Sequence, residues 1–165
     1  MSLAYVAAHT LEVDTTCEYP NAPLQSYHIH VLFLQGYQKS VDKAMELQKA
    51  FMEEFKLDAN DNCTFSKVDP QADRQDMCAF EAEFEPSGPF PVANFSFFIP
   101  IGWYEKAVSW IMQNRNDLDV LVHPNSGCHH HDHEKWPVWG GNKWTLNTDI
   151  FPPENPKFGN ILNLL

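Results

Sequence analysis

His28 and His30 lie inside the run Tyr27-His28-Ile29-His30-Val31-Leu32-Phe33-Leu34, and His123 ends another, Leu118-Asp119-Val120-Leu121-Val122-His123. Strand interiors favour Val, Ile and Phe, and an imidazole buried there needs a polar partner. A metal ion is the partner that satisfies several such rings at once, and neutral imidazole suits iron, zinc and nickel. Residues two apart on a strand share a face and sit roughly 6.6 Å apart. Two imidazoles of this reach can converge on one ion. A single strand histidine is more often a satisfied core residue. The pair at i, i+2, with a third on a second strand, points instead to a metal site with His28, His30 and His123 as its ligands.

A second group follows in Cys128-His129-His130-His131-Asp132-His133-Glu134. By itself this run reads as a solvated loop that binds metal weakly. Carboxylate candidates are scarce. Asp119 shares a strand parity with His123 but lies about 13 Å back along the chain, and Asp132 and Glu134 are donors from the loop. Arg115 follows an apolar stripe, where a cation suits a helix C-terminus. In a site it would clamp a substrate carboxylate. Trp136, Trp139 and Trp144 surround Gly140-Gly141 and either wall a pocket or, more commonly, seal a sheet edge.

The elements that must position these residues follow from periodicity. Residues 27–34 alternate as a strand, with Tyr27, Ile29, Val31 and Phe33 on one face and His28, His30, Leu32 and Leu34 on the other. Ser40 is a plausible N-cap for a helix from about Val41 to Lys56, with Val41, Ala44, Met45, Phe51, Met52 and Phe55 on its stripe and Gln48 as the stripe's polar member. Residues 57–77 are polar and irregular, an insertion or a covering flap. Strands are expected at 78–84 and 92–99, separated by the rigid turn Pro86-Ser87-Gly88-Pro89-Phe90-Pro91. A second helix carries Tyr104, Ala107, Val108, Ile111 and Met112 and ends at Asn116 and Asp117. Leu118 to His123 is the last core strand, with Val120 and Val122 toward the helices. The order βαββαβ is that of an α+β ferredoxin-like fold, an antiparallel sheet with two helices on one face. Its first and last strands are neighbours, so the three histidines can share the open face. A bare apolar face also predicts a homodimer.

The chain's 165 residues suffice for one domain with a real core. Residues 1–26, with a short strand around Leu11–Val13, read as an N-terminal arm. A formal net charge of −11 and only two arginines, Arg74 and Arg115, argue against nucleic acid as a partner. No apolar stretch approaches a membrane span, and Met1-Ser2-Leu3-Ala4-Tyr5 shows no secretory signal. Cys17, Cys63, Cys78 and Cys128 form no C-x-x-C pair and read as free thiols in a reducing, cytoplasmic setting.

His28-Ile29-His30, the turn Gly88-Pro89-Phe90-Pro91-Val92-Ala93, Asn114-Arg115, and Leu121-Val122-His123-Pro124-Asn125-Ser126-Gly127 followed by Asp132-His133 resemble the DOPA 4,5-dioxygenase family, known from fungal pigment biosynthesis. The likeness runs from Tyr27 to about Gly140, and the Leu-Val-His-Pro-Asn stretch is its most specific part. It implies a ferredoxin-like domain over 27–140; residues 141–165 extend past the match, a C-terminal extension expected to pack on that domain. It also implies a non-haem Fe(II) centre and extradiol cleavage of a catechol such as DOPA by O2. His30 is favoured over His28, His123 matches the family's histidine before proline, and His133 the histidine after aspartate. On this reading His133 shuttles protons, His131 stands in reserve, and Arg115 holds the carboxylate of a DOPA-like substrate. The histidine-rich loop would collect zinc or nickel during purification. The family usually carries histidine where this chain has Phe90, which supports an alternative, a non-catalytic protein that binds metal or a small ligand. A zinc hydrolase with Glu134 as base is a third reading.

Overall fold

The computed structural model describes residues 17, 24, 26–64 and 75–151. The strand expected near 11–13, the middle of the 57–77 segment and residues 152–165 lie outside the described residues.

Alternating apolar residues build β1 (Ser26–Phe33), β3 (Ala93–Pro100) and β4 (Asp119–Asn125), with the short strand β2 (Cys78–Ala79) at one edge and β5 (Val138–Gly140) at the other. The sheet order is β2-β3-β1-β4-β5 and every pairing is antiparallel. The first four strands reproduce the ferredoxin-like arrangement, with the first strand between the third and the fourth. Helices α1 (Gln38–Glu54) and α2 (Tyr104–Asn114) form the two crossovers. Their faces meet Ile29, Val31, Phe33, Phe95, Phe97, Ile99, Val120 and Val122 in the main core. Phe51 of α1 stacks on Phe97 at 3.9 Å between ring centroids. Trp103 and Trp110 also pack against this core, while Met112, expected on the α2 stripe, is exposed.

Several local expectations change. Ser40 does not cap α1. The helix begins three residues earlier than expected, at Gln38, and the Ser40 hydroxyl instead accepts the Leu34 amide at 3.0 Å. The strand expected over 78–84 shrinks to Cys78–Ala79 and a single bridge between Glu83 and Asn94. A strand that alternates only weakly gains little from longer pairing.

The second face of the sheet is not bare. Helix α3 (His129–Glu134) follows β4, and Leu32, Phe90, Val92 and Leu121 make a second apolar cluster with Trp139, Trp144 and Leu146. The cover comes from within the chain, which removes the bare apolar face on which the homodimer expectation rested. Asp119 organises this cover. Its carboxylate accepts the Asn142 amide at 2.7 Å and the Trp144 indole N–H at 2.8 Å.

The cysteines are paired rather than free, as Cys17–Cys128 and Cys63–Cys78. Their Cα separations, 5.6 and 5.3 Å, lie within the range a disulfide spans. Spacings of 111 and 15 residues hide both pairs from a motif search. Disulfides persist in oxidising surroundings, so the thiol argument for a reducing compartment does not stand. Among the described residues, no helix is long and apolar enough to cross a membrane.

Candidate metal centre

The register of β1 against β4 decides the site. His28 lies directly opposite His123, and His30 opposite Leu121. Since Ile29 and Val122 face the helices, the histidines must face the other way. On that face, ring nitrogens of His28, His30 and His123 lie within 4.8 Å of one another. The Nε2 atoms of His30 and His123 are 3.3 Å apart.

The opposite edge of each ring explains what those nitrogens carry. The Nδ1–H of His123 donates to the Pro124 carbonyl at 2.8 Å. That of His30 donates to the Asn94 side-chain oxygen at 3.2 Å, and the Asn94 amide nitrogen turns toward Ser87 Oγ. A carbonyl only accepts, so each neutral ring keeps its proton on Nδ1 and presents a lone pair at Nε2. Two lone pairs then face each other at 3.3 Å. This contact is repulsive unless a cation or a proton lies between them.

A proton is a poor answer. Burial pushes both His30 and His123 well below the usual histidine range, and the neighbouring histidines push further. His28 falls to about 3 for the same reason, burial first and then His133 and His129. Its Nε2 is buried and meets no hydrogen-bond partner. An orphaned buried nitrogen beside two opposed lone pairs fits a metal ion, because one ion satisfies all of them. Nitrogens 3.3 Å apart can share an ion that sits roughly 2.1 Å from each.

His133 joins this group from α3. Its ring lies 4.1 Å from that of His123 and 6.5 Å from that of His30, between centroids. Its Nδ1–H donates to the His129 carbonyl at 2.9 Å, so its Nε2 is also bare. Burial lowers its pKa to about 4 against the opposing hydrogen bond. The helix is anchored by Asp132, which is fully buried and accepts the Ser126 hydroxyl at 2.6 Å and the Ser126 amide at 3.1 Å. The Cys17–Cys128 disulfide fastens the residue before the helix. Thr148 donates its hydroxyl to Glu134 and ties the far end to the C-terminal segment. Both carboxylates of α3 are thereby engaged, and the ligating group found among the described residues, His28, His30 and His123, is all histidine.

Two expected site residues stand elsewhere. The ring of His131 lies against Trp136, and its Nε2 meets Lys135 Nζ at 2.6 Å. Arg115 lies on the helix-covered side. A β-carbon on Gly140, which pairs with the helix-facing Val120, would come within 3.2 Å of Arg115 Nε. Its guanidinium donates to the Leu118 carbonyl at 2.7 Å. A β-carbon on Gly141 would likewise meet Arg115 Nη1 and the Asp119 carboxylate, so Arg115 is held at the Leu118–Asp119 end of β4, the end opposite His123.

Sequence reasoning named Phe90 but passed over the rest of the aromatic surround. Phe80 and Phe98 pack edge-on against His28 at 5.4 and 6.0 Å. Phe90 lies 4.4 Å from His30 and 6.4 Å from His133. Phe151 covers His133 at 4.7 Å and stacks on His129 at 5.6 Å. Gln48, the polar member of the α1 stripe, donates to the Phe80 carbonyl at 3.1 Å and so holds one wall of the site. Asn94 was also passed over. Its signal was legible, a polar residue that shares with Ser96 the parity opposite Phe95 and Phe97.

The family model for the Dopa 4,5-dioxygenase family matches residues 27–150. A DOPA 4,5-dioxygenase from Amanita muscaria is 26% identical over 132 residues, which is 80% of this chain and 52% of that protein. The chain thus spans about half the length of this curated relative. A solved structure from Nostoc punctiforme, described as a candidate dioxygenase, superposes with a TM-score of 0.60 at 25% identity. That match covers 76% of this chain and 90% of the other.

Proposed function

The chain belongs to the DOPA 4,5-dioxygenase family, and on that premise we propose that it holds non-haem Fe(II) on His28, His30 and His123 and opens a catechol ring with O2. The observation that carries this reading is the opposed Nε2 pair of His30 and His123 beside the orphaned Nε2 of His28. When bound, Fe(II) with open positions lets a catechol and O2 lie side by side and exchange electrons through the ion. Both oxygen atoms enter the product, and the ring carbon–carbon bond next to a hydroxyl-bearing carbon breaks.

The chain's own residues supply the rest. Three neutral imidazoles leave the dication's charge for the catechol oxygens to neutralise, which suits a buried site. Catechol must shed protons to bind in that form. His133 Nε2, bare and close to His123, would take one of the two and later return it, and the other leaves to solvent. Asn94 and the Pro124 carbonyl hold the His30 and His123 rings in the tautomer and orientation that ligation needs. The phenylalanines around the histidines exclude water, which protects a reactive centre.

Anaerobic reconstitution with Fe(II), followed by air and a panel of catechols, should give O2 uptake and a yellow ring-opened product in equal amounts. His123→Ala should abolish both, and iron-dependent O2 uptake retained by that variant would overturn the ligand assignment. His133→Gln should change the pH profile of the rate, and an unchanged profile removes the proton-shuttle role. A second reading, a homologue that binds without turnover, draws on Phe90 against His30, where the family usually has histidine. It predicts catechol binding to the loaded protein with no O2 consumed.

A further inference from the structure

The run His129-His130-His131-Asp132-His133 holds four imidazoles, and the centre above draws on only the last. Helical geometry sorts the other three. His129 and His133 are four residues apart and so share one face of α3. His129, His130 and His133 gather round a single ring, that of Phe151, at 5.6, 5.8 and 4.7 Å between centroids. His131 takes another direction, against Trp136 and Lys135. From the group at Phe151 the way inward is short. The His133 ring lies 4.1 Å from that of His123. His129 is also close enough to act electrostatically on both His133 and His28. Exposure falls along the same line. His129 and His130 are half-buried, and His123 is 3% exposed.

A divalent ion in water carries a full hydration shell. Stripping that shell in one step to reach buried nitrogens is costly. Imidazoles spaced from the surface inward exchange water for nitrogen one ligand at a time. A buried metal centre needs such an entry path. The chain's net charge of −11 also draws cations to its surface, and imidazole suits transition ions better than magnesium or calcium. Resting on the metal-centre reading above, we propose that His129 and His130 form an entry site for a divalent transition-metal ion and pass it through His133 to His28, His30 and His123. The two residues speed loading and stand outside the final ligand set. A path that lowers a barrier lowers it in both directions, so they speed release by the same factor and leave the affinity alone.

The test follows Co(II) alone into the metal-free full chain by stopped flow, through its visible absorption, and times release with a chelator chase. The ion is kept below one equivalent, so that weak surface binding contributes little. In the double variant His129→Gln/His130→Gln, loading and release are each expected to slow by about fivefold or more, with the affinity within about twofold of wild type. His131→Gln is expected to load at the wild-type rate. The single variants His129→Gln and His130→Gln should each show part of the slowing, so the result does not hang on the folding of the double variant. A double variant that loads at wild-type speed overturns the inference. So does one whose affinity falls while release keeps its rate or quickens, since the two residues would then belong to the final ligand set. Slowing in His131→Gln as large as in the double variant overturns it too, because the number of surface histidines and not their path would set the rate. None of these outcomes touches the metal centre itself. If wild type and His123→Ala take up Co(II) with equal affinity, the metal-centre reading falls and the inference with it.

Discussion

At the scale of single residues, what matters is which nitrogen carries the proton. His30, His123 and His133 each give their Nδ1–H to an oxygen and keep Nε2 bare. Removing the oxygen that orients His30 should therefore weaken the site without touching a ligand. Asn94→Ala is expected to lower Fe(II) affinity by roughly 10–100-fold, measured by competition with a chromogenic chelator. An affinity within twofold of wild type would argue against the orienting role. Burial also sets a pH dependence. The folded pKa values of His28 and His133, about 3 and about 4, lie below the ordinary value of 6.5, and those of His30 and His123 are lowered too. Between those values and 6.5 the unfolded chain binds more protons than the folded one, so acid favours unfolding. The metal-free protein should keep one urea midpoint from pH 8 to 7 and lose stability steadily as pH falls below about 6.5. A midpoint that stays level down to pH 5 would contradict the buried neutral histidines.

At the scale of elements, α3 has six residues, too few for a helix to stand by intrinsic propensity. Tertiary ties hold it: Asp132 on Ser126, the Cys17–Cys128 bridge and Glu134 with Thr148. Ser126→Ala deprives a buried carboxylate of its hydroxyl donor and should cost about 1–3 kcal/mol in chemical denaturation. Any activity should fall with it, because α3 carries His133. Reduction should act through the same element and through Cys63–Cys78 at β2. Adding a thiol-free reductant is expected to raise the titratable thiols to four and to lower stability by about 2–4 kcal/mol per bridge. Four reactive thiols in the unreduced, denatured protein would show instead that the cysteines are not bridged. Gly141 is another such tie. Its φ is +95°, and a β-carbon there would collide with the Asp119 carboxylate. Gly141→Ala should therefore loosen the segment that carries Trp144 over the second face.

At the scale of the whole molecule, one sheet separates two environments. The helix side is a packed aromatic and aliphatic core, and the Phe51–Phe97 stack lies within it. Phe97→Ala should cost about 3–5 kcal/mol in urea denaturation, whether or not metal is present. The other side carries buried polar nitrogens among phenylalanines, an arrangement that costs stability and that a bound ion would offset. Fe(II) or Zn(II) should raise the wild-type melting temperature and leave that of His123→Ala unmoved.

Much of this division was legible in the chain itself. Period-two alternation in 27–34 and 118–123 needs only the pleat of a strand, so it sorted His28, His30 and His123 away from the helix face before any contact was known. The order of elements was enough to place β1 beside β4. Register, however, is a relation between distant segments. That His28 meets His123 and that the two Nε2 atoms face each other at 3.3 Å depended on the packed sheet. The same holds for Arg115, whose position in the chain suits a carboxylate clamp and whose guanidinium the fold ties to the Leu118 carbonyl. It holds as well for the cysteines, whose partners 111 and 15 residues away carry no local pattern. Local periodicity is written in neighbouring residues and determined which face each histidine takes. What stands opposite that face depends on how the chain closes on itself, and only the tertiary structure decided it.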